Sequence, residues 1–299
     1  MNKVLEKTVF FVVGPTAVGK TRFAIKLAKQ KKSEILSADS RQFFQEMSIG
    51  TAVPSPEELQ AVKHHFIQHI SIHQAYNVHK YEQDALRKIE ELFKIYDAVV
   101  VVGGSGLYLN ALAYGIDDLP DPSEETRQKL DRIFQQEGIS GLQDLLRKLD
   151  PDFLISVDQQ NPNRMKRALE VCLTTGKPYS VQRLGIKKER PFKMKWIGLR
   201  QDRAVLYERI NKRVDLMLKA GLIDEVKALF PLRHLNALNT VGYREFFQWL
   251  EGKESYEWAV EKVKTNSRRY AKRQMTWFNK NEDIQWLDVK DIDASINSY

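Results

Sequence analysis

Cysteine is nearly absent from this chain. Cys172 is the only one among 299 residues, which excludes a disulfide framework and any cysteine-based zinc ribbon. Its place in the helical-looking run 168–173 makes it a packed core thiol. Long apolar runs are missing as well: none approaches the roughly 20 residues of a membrane span, so neither a transmembrane helix nor a membrane partner is expected. Residues 1–7 carry no apolar signal core and no cleavage site, from which residence in the cytoplasm is expected. Internal repeats and low-complexity segments are also lacking. What is left, with 42% hydrophobic and 29% charged residues, is an ordinary globular composition. The length suits one large core or a core with an inserted subdomain.

Acidic residues are thin in one region. Residues 187–280 hold 22 Lys and Arg against 11 Asp and Glu, a local excess larger than the net charge of +8 for the whole chain. The basic character therefore belongs to the C-terminal third, where it can attract a polyanion by phosphate contacts and counterion release.

Short β-rich apolar runs recur at 9–13, 34–38, 98–102, 196–199 and 284–287, and helical patterns such as 81–93 lie between them. This alternation predicts an α/β fold, a parallel sheet flanked by helices. Asp117, Asp118, Pro120, Asp121 and Pro122 break the pattern, and the residues that follow, to about 175, read as helix. An all-helical insertion over 118–192 is expected, with 1–117 and 193–299 forming the α/β core.

The first strand run leads directly into Gly14, Pro15, Thr16, Ala17, Val18, Gly19, Lys20 and Thr21. This is a complete G-x-x-x-x-G-K-[ST] motif between a strand and a helix, the P-loop NTPase-like context in which backbone N–H groups and a helix N-terminus cradle phosphates. Lys20 adds a point charge, and Thr21 can reach a magnesium ion. Asp39, after the second strand run, should face the same crevice and can hold a hydrated metal or accept a proton. Capping of the next turn is its plainer role. The third run, 98–102, continues into Gly103, Gly104, Ser105 and Gly106 without the Asp or Glu that a nucleotide hydrolase uses to hold magnesium. That turn also fails the nucleophile-elbow pattern, since Leu107 stands where the last glycine would be. Five histidines between 64 and 79 follow no metal-binding spacing and read as packing or pocket residues. Two segments, 206–214 and 267–278, read as helices with basic faces; Tyr270, Trp277 and Phe278 in the second read as core aromatics.

In their order these motifs resemble the tRNA dimethylallyltransferases, also called tRNA isopentenyltransferases, of the bacterial type. The carriers are the phosphate loop, Asp39 with Ser40, the 103–108 turn, the 163–171 run, the 240–245 run and the 270–278 run, so that the resemblance covers nearly the whole chain. It implies transfer of a dimethylallyl group from dimethylallyl diphosphate to the N6 amine of the adenosine 3′ of a tRNA anticodon. It also implies Mg2+ as cofactor, the anticodon stem-loop as partner, and catalytic roles for Lys20, Thr21, Asp39 and Arg213, with Asp39 as the base. Asp39, Ser40, Arg41, Gln42, Ser105, Arg127, Asn163, Arg164, Met165, Lys166, Arg167 and Arg209 are placed by it against the RNA. Arg209 and Arg213 lie one helical turn apart, and one of them is expected on a phosphate. In this sequence Ser105 stands where the family usually has Thr.

Three rival readings remain: a small-molecule kinase, an enzyme that prenylates free adenine nucleotides, and a non-catalytic RNA-binding module. The basic C-terminal third argues against a mononucleotide substrate, and the pairing of a phosphate loop with Asp39 argues against a pure binding module. Nothing in the sequence demands more than a monomer.

Overall fold

The computed structural model describes residues 7–292 and Ile296. In chain order the elements are β1 (Thr8–Val13), α1 (Lys20–Gln30), β2 (Ile35–Ser37), α2 (Pro56–Ala61), β3 (His64–His65), α3 (Val78–Phe93), β4 (Ala98–Val102) and α4 (Gly106–Tyr114). Then follow α5 (Glu124–Leu149), α6 (Pro151–Ser156), α7 (Pro162–Thr175) and α8 (Tyr179–Gln182). The chain continues through β5 (Lys193–Arg200), α9 (Arg203–Lys219), α10 (Leu222–Leu229), α11 (Arg244–Leu250), α12 (Tyr256–Phe278) and β6 (Ile284–Asp288). It divides into two compact units: one is built from the segments up to Ala113 and from Glu189 onward, the other is Tyr114–Lys188.

The first unit is the α/β sheet expected from the apolar runs. Its strand order is β3-β2-β4-β1-β5-β6, and every pairing is parallel. β1 and β4 are buried almost throughout, as unbroken β-branched runs must be when helices cover both faces. In register, Thr8 to Val12 face Ala98 to Val102 on one side, and Thr8 to Val13 face Lys193 to Gly198 on the other. The stacked rings of Phe11 and Trp196, 4.3 Å apart, join β1 to β5 on one face. Two features lay outside the sequence pattern. β3 is only His64 and His65 paired with Ile35 and Leu36, too short and too polar to mark itself. β5 starts at Lys193, ahead of its apolar run, because Lys193, Met194 and Lys195 alternate between exposed and half-buried positions.

Capping residues set several helix starts. Ser55 and Glu58 form a reciprocal capping box on α2, Asn77 accepts from Lys80 N–H at α3, and Ser255 accepts from Trp258 N–H at α12. Each such cap contributes about 1 kcal/mol. The chain crosses from β1 toward β2 on one side of the sheet and later to β5 on the other. The carboxyl ends of β1, β2 and β4 therefore open into the reversal-point crevice where α/β sheets bind ligands.

The second unit has its own core of Leu130, Leu142, Leu146, Leu154, Met165 and Leu169. Its helix α5 is broken at Gly138, whose φ of 67° only glycine adopts without strain. Asp150, 1% exposed, caps α6 by accepting from Phe153 N–H and also accepts from the N–H and hydroxyl of Ser180. Cys172 is buried, as its helical position implied, and burial raises its thiol pKa. The ends of the unit meet where Lys188 N–H donates to Tyr114 O at 2.8 Å.

The return to the sheet is fixed by Arg190. Its guanidinium donates to Glu82 at 2.6 Å and to the carbonyls of Ala111 and Leu112, with the two charged side chains only 7% and 4% exposed. Breaking a buried pair strands a charge and costs about 3–5 kcal/mol, whereas removing both partners costs far less. Arg190→Met should therefore lower the unfolding free energy by that amount in urea titration, and the Glu82→Gln/Arg190→Met double variant should recover a large part of it.

Candidate functional site

The loop after β1 takes its shape from three left-handed residues, Gly14 at φ 142°, Ala17 at 63° and Gly19 at 107°. At Gly14 a side chain is also excluded by space, since a Cβ would lie 2.6 Å from the carbonyl oxygen of Leu199 in β5. The loop is thus pressed against the neighbouring strand and delivers the chain directly into α1. No acidic residue occupies the first turn of α1, so its N-terminus stays electropositive, with Lys20 and the half-buried Thr21 leading it.

Lys20 curls over its own loop, donating to the carbonyls of Gly14 at 3.0 Å and Pro15 at 2.8 Å. Burial pushes its pKa down to about 8; the Asp39 carboxylate opposes that shift and the Arg213 guanidinium adds to it. A half-buried ammonium in this state favours an arriving anion. Arg213 closes the loop from α9, its guanidinium donating to the hydroxyl of Thr16 at 3.1 Å, and burial lowers its pKa while Asp39 again opposes. Arg209, one turn earlier and exposed, donates to Gln201 at 3.1 Å and stands beside Gly19, where a Cβ would come within 3.7 Å of its guanidinium. The two arginines therefore border opposite ends of the loop.

Facing this positive cluster are the ends of β2 and β4. Gly103 packs so closely that a Cβ would meet Ala38 O at 2.4 Å. Ser105 Oγ accepts from Ser40 N–H at 3.0 Å and lies 3.1 Å from Ser40 Oγ. Asp39 performs the capping role that its sequence allowed, Oδ1 accepting from Arg41 N–H at 3.1 Å. It is also the charge shared by the site, for it shifts the ionisation of Lys20, Arg41, Arg213 and Tyr270.

The other residues singled out in the sequence separate into two groups. Arg41 donates to the carbonyls of Asn236 and Ala237 at 3.1 and 2.9 Å, and Gln42 to those of Thr51 and Ala52 at 3.2 and 2.9 Å; both tie down loops. The 240–245 run serves the same scaffold. Glu225 accepts from the N–H groups of Ser48, Ile49 and Gly50 and from the Tyr243 hydroxyl. In the second unit Arg127, Asn163 and Arg164 are exposed, whereas Met165 is fully buried. Lys166 pairs with Asp131, and Arg167 donates to the carbonyls of Leu119 and Pro120.

One residue that joins the site was not singled out. Gln274 of α12, 5% exposed, accepts from Thr16 N–H at 2.8 Å and donates to Gly104 O at 2.9 Å. A polar side chain on the buried stripe of Ala271 and Phe278 is the signal that could have found it, because such groups need partners. Tyr270, one turn earlier, is half-buried, and burial raises its phenol pKa. Phe278 is core as expected, but Trp277 is 38% exposed. Among the described residues no group of three His, Cys, Asp or Glu side chains could hold a metal; His65 instead lies 2.6 Å from the Glu34 carboxylate.

A parallel sheet with an anion loop at its reversal point, ringed by Lys20, Arg209, Arg213 and Asp39, defines an α/β protein of the P-loop type. The chain belongs to the IPP transferase family, whose family model matches residues 42–281. It is 50% identical over 288 residues to a tRNA dimethylallyltransferase of Christiangramia forsetii, covering 96% of this chain and 95% of the relative. It is 48% identical to one of Flavobacterium johnsoniae, covering 94% and 93%. The crystal structure of the full-length tRNA isopentenylpyrophosphate transferase of Bacillus halodurans superposes with a TM-score of 0.70 at 37% identity, covering 98% of this chain and 95% of that one. A eukaryotic dimethylallyltransferase solved acting on tRNA gives 0.77 at 27% identity, covering 97% and 75%.

Lys20 makes the anion site pH-sensitive. With a pKa of about 8 it is half-deprotonated near pH 8, and a bound anion favours its charged form, so binding takes up a proton. In titration calorimetry with inorganic diphosphate at pH 8, in buffers of different ionisation enthalpy, Lys20 should add uptake of about half a proton to the contribution of the diphosphate's own titration. Lys20→Met should abolish that uptake.

Proposed function

We propose that this chain transfers a dimethylallyl group from dimethylallyl diphosphate to the N6 amine of the adenosine 3′-adjacent to a tRNA anticodon, giving N6-dimethylallyladenosine. The observation that carries this reading is the electrostatic coupling of one carboxylate, Asp39, to both cations of the anion loop, Lys20 and Arg213. Such a site serves an anionic leaving group on one side and a proton-losing nucleophile on the other.

The diphosphate binds at the N-terminus of α1 against the loop N–H groups, with Lys20, Arg213 and Arg209 around it. As the allylic C–O bond breaks, its electron pair passes to the diphosphate, and these fixed positive groups stabilise the developing charge. The amine attacks the allylic carbon and gives up its proton, which Asp39 accepts. Ser40 and Ser105, joined by their hydroxyls, line the acceptor side. Because the target adenine starts inside a stem-loop, it must be unstacked before it reaches Asp39. Arg127, Asn163 and Arg164 offer exposed polar contacts to the RNA. Met165, Lys166 and Arg167 act by holding that helix in shape, and Arg41 and Gln42 by holding the loops behind Asp39.

Magnesium fits as an ion carried by the diphosphate. Thr21 is the residue that would hold it, and phosphate oxygens and water would complete its shell; it would supply charge neutralisation to the leaving group. The reading has the enzyme act as a monomer in the cytoplasm. No described helix is long and apolar enough to cross a membrane.

Incubation with magnesium, radiolabelled dimethylallyl diphosphate and unmodified tRNA should put label in the RNA, and replacing the target adenosine should abolish it. Label in adenosine monophosphate alone, or consumption of ATP without any label transfer, would support the free-nucleotide enzyme or the kinase instead. Asp39→Ala should lower kcat by about 10²- to 10⁴-fold, with a much smaller change in KM for tRNA. Full turnover in that variant would remove Asp39 as the base.

A further inference from the structure

Gln274 is held between two loops that belong to different strands. Its Oε1 accepts from Thr16 in the loop after β1, and its Nε2 donates to Gly104 in the turn after β4. The orientation of the amide is set by this pairing, since one partner can only donate and the other only accept. Space is closed around it: a Cβ on Gly104 would lie 2.2 Å from Nε2 and 3.8 Å from Lys20 Nζ. Each partner also sits next to a functional group. Thr16 carries on its hydroxyl the guanidinium of Arg213, and Gly104 precedes Ser105, which grips the backbone and hydroxyl of Ser40.

Resting on the function proposed above, we infer that Gln274 is a positioning residue that fixes the gap between the diphosphate cradle and the acceptor turn. Through Thr16 it sets where the leaving group lies, and through Gly104 it sets where Ser105, Ser40 and Asp39 hold the adenine. In the intact site the broken C–O bond is replaced by a bond from the allylic carbon to N6, and the amine proton goes to Asp39. When the gap is wrong, water takes the place of the amine. Its oxygen bonds to the same carbon, its proton passes to solvent, and the products are dimethylallyl alcohol and diphosphate.

The test compares diphosphate released with label incorporated into tRNA, in one reaction, for the wild type, Gln274→Leu and Gln274→Glu. Glu keeps an acceptor for Thr16 but sets a carboxylate against Gly104 O, so it separates loss of one contact from loss of both. The wild-type ratio should be one. Both variants should transfer about 10- to 100-fold more slowly, as displacements of about 1 Å do to positioned reactants. Their KM for dimethylallyl diphosphate should stay within about three-fold, with a release-to-transfer ratio above one. A ratio of one in both variants, or a rate loss matched by a loss of folded protein in thermal melts, would overturn the inference while leaving the prenyltransferase reading intact. Absence of labelled tRNA with the wild type would bring down both.

Discussion

The parallel pairing of β1 between β4 and β5 is the interaction on which the site depends. Because the three strands run the same way in register, their carboxyl ends finish at one level, and the loops that follow must share a single edge of the sheet. Gly14 is pressed against Leu199 of β5 and Gly103 against Ala38 after β2; at both places backbone approaches backbone closely enough to exclude any side chain. Loops held in this way have little freedom left. The polar side chains between them can therefore act at fixed distances, which is what electrostatic preorganisation requires.

Within that frame the charges are few and mutually dependent. Lys20 and Arg213 are both half-buried cations, each made less comfortable by desolvation and each partly compensated by Asp39. The site is thus a partly neutralised cluster. The basic residues of α9 and α12 that lie farther out add to the positive field around the site. Several of them, such as Lys272 and Arg273 of α12, are exposed.

Much of this was legible in the residues. The phosphate loop announced itself because its function needs glycine at fixed spacing, and the sheet because strands buried on both faces must be apolar. β3 was not legible, since His64 and His65 hold the sheet edge by backbone bonds that any residues could make. The resemblance placed Arg41 and Gln42 against the RNA, and only the fold shows that the carbonyls of Ala237 and Ala52 hold them. The resemblance placed Met165 with its neighbours against the RNA, whereas helical phase puts its side chain in the core. Gln274 escaped because its meaning lies in a partner 258 residues away, a juxtaposition that no local pattern encodes.

The same topology has a consequence for biogenesis. Thr8 pairs with Lys193, so β1 leaves the ribosome long before the strand that covers its second edge. At about 5–20 residues per second the wait is on the order of 10–40 s. The intervening Tyr114–Lys188 unit is compact by itself, and its two ends meet at one backbone bond. It can complete its own core during that interval, bringing Lys193 back toward the early strand and shortening the effective loop that must close. In a growing chain the inserted unit is thus a tether for the unfinished sheet.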